Sequence, residues 1–258
     1  MKAMELIDTH AHLYLEEFAD DLEAVMERAR KEGVSRIYLP ALDSRHTPLL
    51  FSLKEKYPAI CFVMAGIHPC YVQEDYGSEL QFLQDLLSQR KFAAIGETGL
   101  DYYRTRAFEK EQKITFKRQL ELAAEHCLPV VIHSRSAMDD TIGILREAAG
   151  KDLRGIFHCF SGDVQNARDI IDCGMLLGIG GVITYKNAGL AEVIADVPIE
   201  KIVLETDAPY LSPAPFRGKR NECSYLKYIV SKIAQVKNIS EQEVARITTE
   251  NAKNLFDH

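Results

Sequence analysis

No stretch of about 18 apolar residues occurs in the 258-residue chain, so no segment reads as a membrane-spanning helix. Residues 1–10 hold neither an apolar core nor a small-residue cleavage site, and no signal peptide is expected. Six cysteines are present, at positions 61, 70, 127, 159, 173 and 223, but none forms a CxxC pair. Most lie in apolar runs and read as small buried thiols of a cytoplasmic protein rather than as disulfides. Positive charge is also short, with 31 Lys and Arg against 38 Asp and Glu, a net −7. Such a chain can hold nucleic acid only through a local basic patch or through bound metal. No Pro/Gly/Ser-rich linker, charge block or low-complexity stretch divides residues 1–258, so one domain is expected. Apolar residues at 47% and charged residues at 27% are ordinary for a globular chain and exclude disorder, collagen-like repeats and coiled coil.

What is present is a regular alternation. Short apolar runs at 6–8, 36–39, 60–64, 92–95, 130–132, 155–157, 175–179 and 201–204 read as strands. Segments of helical period fall between them, at 16–31, 44–56, around Leu80 to Leu87, 108–126, 137–149, 164–173 and 188–196. Two more amphipathic segments, 224–236 and 240–255, close the chain. Strands apolar on both faces, each followed by a helix, predict an α/β fold with an all-parallel sheet. Eight such units predict a single (β/α)8 TIM barrel.

Barrels of this kind build their sites just beyond the C-terminal ends of the strands. Five of the eight histidines fall there: His10 and His12 after the first strand, His68 after the third, His133 at the fifth and His158 at the sixth. Glu97 follows the fourth strand, and Glu205 and Asp207 follow the eighth. Singly, each has a structural explanation. An HxH pair arises by chance in roughly one such sequence in four, Glu97 could accept backbone bonds in a tight turn, and Asp207 could start the turn before Pro209. Their convergence on one rim favours metal binding. Residues i and i+2 of a strand point the same way, so His10 and His12 can grip one ion together. Six nitrogen and oxygen ligands exceed the needs of one tetrahedral ion but suit two ions sharing a carboxylate. Glu97, the one central carboxylate without an adjacent ligand, is the expected bridge. Two ions about 3.5 to 4 Å apart would hold and acidify a water between them.

These residues lie in motifs that resemble the TatD family of metal-dependent hydrolases and deoxyribonucleases. The resembling stretches are Asp8 to Leu13, Gly66 to Pro69, Gly96 to Tyr102, Pro129 to Arg135, His158 to Gly162, Glu205 to Leu211 and Arg217 to Glu222. The resemblance spans nearly the whole chain, in order, and implies a barrel of the metal-dependent hydrolase (amidohydrolase) type. It implies cleavage of DNA, single-stranded or at 3′ ends, with 3′-to-5′ exonuclease polarity. Carried over residue by residue, it makes His10, His12 and Asp207 ligands of one divalent ion, His133 and His158 ligands of the other, and Glu97 the bridge. The ions would be zinc, manganese, magnesium or nickel. His68 and Glu205 would handle the scissile phosphate or a third ion, and Asp207 would be the base. The chain departs from the family pattern at Cys70, Phe216 and Cys223, none of them a ligand.

Arg135, Arg217, Lys219 and Arg220 lie in loops after the fifth and eighth strands and are candidates to position phosphates. Tyr102, Tyr103 and Tyr210 could stack on unpaired bases or pack the rim. A two-ion centre could equally attack an amide, a lactone or a phosphotriester, and an inactive barrel could serve as a binding module. The basic rim favours an anionic phosphate, and the complete ligand set favours an enzyme. No feature points to a membrane or to an obligate protein partner. Cys159, next to His158, is expected to point away from the cavity into the barrel–helix interface and to react slowly with thiol reagents, with Cys70 reacting faster.

Overall fold

A computed structural model describes residues 4–103, 105–148 and 153–257. The first three residues, and the end of the helix expected over 137–149, lie outside the described residues. Eight strands alternate with helices: β1 (Leu6–Asp8), α1 (Leu22–Lys31), β2 (Val34–Leu39), α2 (Thr47–Lys56), β3 (Cys61–Val63), α3 (Tyr76–Gln89), β4 (Ile95–Asp101) and α4 (Glu109–Glu125). They continue with β5 (Val130–Arg135), α5 (Met138–Glu147), β6 (Gly155–Phe157), α6 (Val164–Asp172), β7 (Met175–Ile179), α7 (Leu190–Asp196), β8 (Ile202–Leu204), α8 (Leu226–Lys237) and α9 (Glu241–Phe256).

Every strand pairing is parallel, in two ladders, β1-β2-β3 and β4-β5-β6-β7-β8. Single parallel bridges join the ladders at both seams, Ala65 to Ile95 and Ala11 to Ala208. Backbone bonds from Thr9 N to Leu204 O (3.0 Å) and from Asp207 N to His10 O (2.9 Å) tie β1 to β8. The ring is the (β/α)8 barrel that eight alternating units call for.

The side chains divide into two apolar layers, as a barrel requires. The larger packs strand against helix, with Leu6, Ile37, Ile132 and Leu177 facing α-helical residues such as Val25 and Ile229. The smaller draws Ile7, Tyr38, Met64, Ala94, Val131, Ile156 and Val203 from seven points around the ring and fills its interior. α9 closes the bottom of that interior, where Phe256 stacks on Tyr38 with ring centroids 3.8 Å apart. The apolar plug leaves only the opposite rim open to polar chemistry.

Two expectations about elements shift. The first helix begins at Leu22, and residues 16–18 form a separate 3-10 turn. The fourth strand covers Ile95–Asp101, so Glu97 lies within a strand, not after it. The glycines at 96 and 99 imitate a turn in sequence, but they serve close strand approach. Gly99 has φ +133°, and a Cβ there would lie 2.0 Å from the His133 carbonyl. That contact sets Gly99 opposite His133 in the β4–β5 ladder.

Among the described residues, no helix is long and apolar enough to cross a membrane. All six cysteines are free. Because Tyr38 is 1% exposed and carries the α9 contact, Tyr38→Ala is expected to cost about 3–5 kcal/mol of stability. Urea unfolding measures this; a loss below about 1 kcal/mol would show that the interior layer is not packed as described.

Candidate active site

The C-terminal ends of the strands surround a cavity of about 810 Å³, within the usual range for small-ligand clefts of roughly 300–1,000 Å³. At its floor stands Glu97, 2% exposed, and its two carboxylate oxygens face different partners. Oε2 lies 3.1 Å from His10 Nε2 and 3.5 Å from His12 Nε2. Oε1 lies 2.8 Å from His133 Nδ1, 3.4 Å from His68 Nε2 and 3.7 Å from His158 Nε2. Asp207 Oδ1 approaches from the other side, 3.8 Å from His10 Nε2, 3.6 Å from His12 Nε2 and 3.8 Å from His158 Nε2. All five rim histidines and both carboxylates therefore meet in one place.

A second layer turns four of the five imidazoles; the fifth is His10, whose buried Nδ1 lacks a hydrogen-bond partner among the described residues. Tyr14 Oη donates to the Pro40 carbonyl (2.8 Å), so it accepts from His12 Nδ1 (2.9 Å) and leaves the His12 Nε2 lone pair facing Glu97. Glu205 Oε2 accepts from His158 Nδ1 at 3.0 Å, and Asp101 Oδ2 accepts from His133 Nε2 at 3.0 Å. Both bonds aim the remaining ring nitrogen at the centre, the usual arrangement behind a metal-ligating histidine. His68 is set the opposite way. Its Nδ1 accepts from the Cys70 backbone N–H (3.0 Å), so a neutral His68 carries its proton on Nε2 and points a donor into the site. Beneath the centre, Asp8 accepts from His10 N, Thr206 N and Thr206 Oγ1 at 3.2, 3.0 and 2.6 Å, clamping β1 to the segment after β8.

The electrostatics call for a cation. Burial would raise the Glu97 carboxyl, but His68, His10 and His158 outweigh it and hold it well below the usual carboxylate range. Asp207 is lowered in the same way, by the His12 bond and the His158 and His10 charges acting against burial. Burial would likewise depress His158, yet Glu205 and Glu97 together push it up to about 10. His10, by contrast, falls to about 4 through burial and the charge on His158. Glu97 and Asp207 thus depend on protons held by the imidazoles around them, while the Nε2 atoms of His10 and His12 lie only 3.2 Å apart. A divalent ion in place of those protons satisfies nitrogens and oxygens together, so the residues fit the ions that the sequence motifs imply. His10, His158 and Asp207, and separately His10, His12 and Glu97, each bring ligand atoms within 4.8 Å of one another. So do His68, Glu97 and His133.

Several sequence expectations need correction. Glu205 is two residues from Asp207 but does not share its cavity: it is fully buried, with Oε2 on His158 and Oε1 accepting from Cys159 N (2.6 Å). Strand alternation ends at Leu204, and Asp207 turns into the cavity with φ +57°. Gly178 makes the room for Glu205, since a Cβ there would lie 2.3 Å from Oε2. Arg220 is drawn away from the rim. It bonds both Asp21 oxygens at 2.7 Å and the Glu17 carbonyl at 2.6 Å. Cys159 lines the cavity instead of facing the helices, because it lies beyond β6 with φ +47°. Cys70, Arg135, Arg217 and Lys219 line the cavity as expected for a rim. Phe216 stacks on Tyr225 at 4.4 Å and Cys223 is fully buried, so neither lines the cavity. Asp101 and Tyr14 carry no role in the sequence reading, and only their spacing from Glu97 and His12 in the motifs hinted at one.

A parallel barrel whose rim gathers imidazoles and carboxylates around a shared central glutamate defines a metal-dependent hydrolase. The comparisons make this specific: residues 7–257 match the family model described as TatD related DNase, and the chain belongs to that family. It is 41% identical to YabD of Bacillus subtilis, described as an uncharacterized metal-dependent hydrolase, over 97% of this chain and 98% of that protein. It is 33% identical to the 3′-5′ ssDNA/RNA exonuclease TatD of Erwinia tasmaniensis, over 98% of this chain and all of that one. The crystal structure of YjjV, a TatD homologue from Escherichia coli K12, superposes with a TM-score of 0.93 at 30% identity, covering 99% of both chains.

If Glu205 acts only by turning His158, Glu205→Gln is expected to weaken metal binding by about 10–100-fold without unfolding the barrel. Calorimetric titration with zinc measures it. Unchanged affinity would remove Glu205 from the support of the centre.

Proposed function

We propose that the protein is a metal-dependent phosphodiesterase that cleaves DNA from a single-stranded 3′ end, with residues 1–258 acting as one catalytic unit. The observation that carries this reading is the division of the two Glu97 oxygens between two imidazole groups, at the floor of a cavity rimmed by Arg135, Arg217 and Lys219. Among the described residues none of these three cations pairs with a carboxylate. In a chain of net charge −7, unpaired cations gathered at one mouth support a polyanionic substrate.

In this reading His10, His12 and Asp207 would hold one divalent ion and His133 and His158 the other, with Glu97 within reach of both. The mixed nitrogen and oxygen donors suit zinc, manganese or nickel, and magnesium less well. A third ion has the weakest support, because both Glu205 oxygens are already bonded. Bound there, the ions would supply an acidified water and offset the charge of the phosphate. The chain's own residues do the rest. Asp207, ionised and facing the cavity, accepts the proton of the attacking water. His68 offers its Nε2 proton to a phosphate oxygen or to the departing oxygen. Arg135, Arg217 and Lys219 fix the phosphates on either side. Hydrolysis of a neutral ester would leave these three cations without a partner.

Glu97→Ala is expected to lower turnover by more than about a thousandfold with the fold retained, since the rim is not the core. Wild-type turnover and metal content in that variant would rule out the bridge. Asp207→Asn keeps the shape and one metal-binding oxygen, so metal should largely stay while kcat falls by about 10² or more. A nearly silent Asp207→Asn would move the base elsewhere. The direct test of the function is cleavage of oligonucleotides labelled at either end by metal-reconstituted protein. A ladder shortening from the 3′ end is expected, whereas hydrolysis of esters or lactones with no cleavage of any oligonucleotide would sink the reading.

A further inference from the structure

Among the large hydrophobic side chains exposed at the surface, Tyr103 is the most open, at 64%. It is nevertheless held in register with the centre. Its backbone N–H donates to Asp101 Oδ1 (2.9 Å), the carboxylate whose other oxygen turns His133. Its neighbour Tyr102 donates from its backbone to the Arg135 carbonyl at 2.9 Å. The Arg135 guanidinium lies over the Tyr103 ring, 3.7 Å from its centroid. Such a stack leaves the guanidinium edge, with its N–H donors, free for phosphate.

Arg135 also sits where the cavity continues. With Ser134 and Ser161 it lines both the central cavity and a neighbouring hollow of about 690 Å³, where Arg106 and Lys113 are already paired with Glu109 and Asp140, so Arg135 is, among the described lining residues, the cation left for a ligand. Tyr185 and Arg217 line another part of the mouth. There Tyr185 is half-buried, its hydroxyl donates to the Ser212 carbonyl (2.8 Å), and Arg217 lies 4.5 Å over its ring. Arg135 and the exposed Tyr103 it covers therefore stand where the cavity runs on into that hollow.

We infer that Tyr103 and the Arg135 stacked on it form a docking subsite for single-stranded nucleic acid, over which the body of the strand leaves the centre. The inference rests on the nuclease reading and adds to it where the strand runs and why it must be unpaired. An aromatic face takes any base, but only one whose own face is free of a duplex partner.

The test is the length dependence of kcat/KM for metal-loaded enzyme on a dinucleotide and on a single strand of about 12 nucleotides, within the usual span of single-strand grooves. Wild type, Tyr103→Ala and Tyr103→Phe are compared. Tyr103→Ala is expected to lose roughly tenfold on the longer strand, mainly through KM, and much less on the dinucleotide, with Tyr103→Phe restoring the loss. Equal losses at both lengths, or none, overturn the subsite while leaving the nuclease reading intact. No cleavage by wild type at either length overturns both.

Discussion

One buried carboxylate organises this molecule. Glu97 is 2% exposed at the centre of the barrel mouth, and among the described residues no Lys or Arg pairs with it. A charge so placed is tolerable only if cationic groups surround it closely. The fold supplies imidazoles from β5 and the segments after β1, β3 and β6, each within 3.7 Å of one of its oxygens. Imidazoles can carry a proton or yield it to a metal ion, so the same geometry serves both conditions.

That requirement spreads outward. A bond to the far nitrogen fixes an imidazole's aim, and Tyr14, Glu205 and Asp101 take those of His12, His158 and His133. Glu205 and Asp101 then need partners of their own, found in the backbone N–H groups of Cys159 and Tyr103. Asp8 lies under the whole arrangement. Burial pushes its carboxyl up to about 7, against the pull of Thr206, Cys223 and the His10 amide. Its bonds to both ends of the β1–β8 seam keep His10, His12 and Asp207 in one register. The polar rim is therefore a connected network resting on the apolar plug below it, and losing any one orienting bond leaves an imidazole free to turn.

How much of this was legible in the sequence follows from the range of each interaction. The barrel could be read because each strand and helix announces itself by local period, and the rim residues because they follow strand ends. β4 was misplaced since Gly96 and Gly99 look like turn residues until the close approach of His133 is known. Cys159 was misdirected because strand alternation was extended past the last paired residue, where its positive φ reorients the chain. Arg220 looked like a rim cation because Asp21, its partner, lies 199 residues away. Asp101 and Tyr14 act through another side chain, which no local pattern reports.

The central claim is that one glutamate is shared by two ions. The most direct measurement is anomalous scattering from crystals of the protein grown with manganese. The account predicts two peaks about 3.5–4 Å apart, one beside each Glu97 oxygen, with His10, His12 and Asp207 at the first and His133 and His158 at the second. A single peak, or a pair of peaks of which neither touches Glu97, would contradict it.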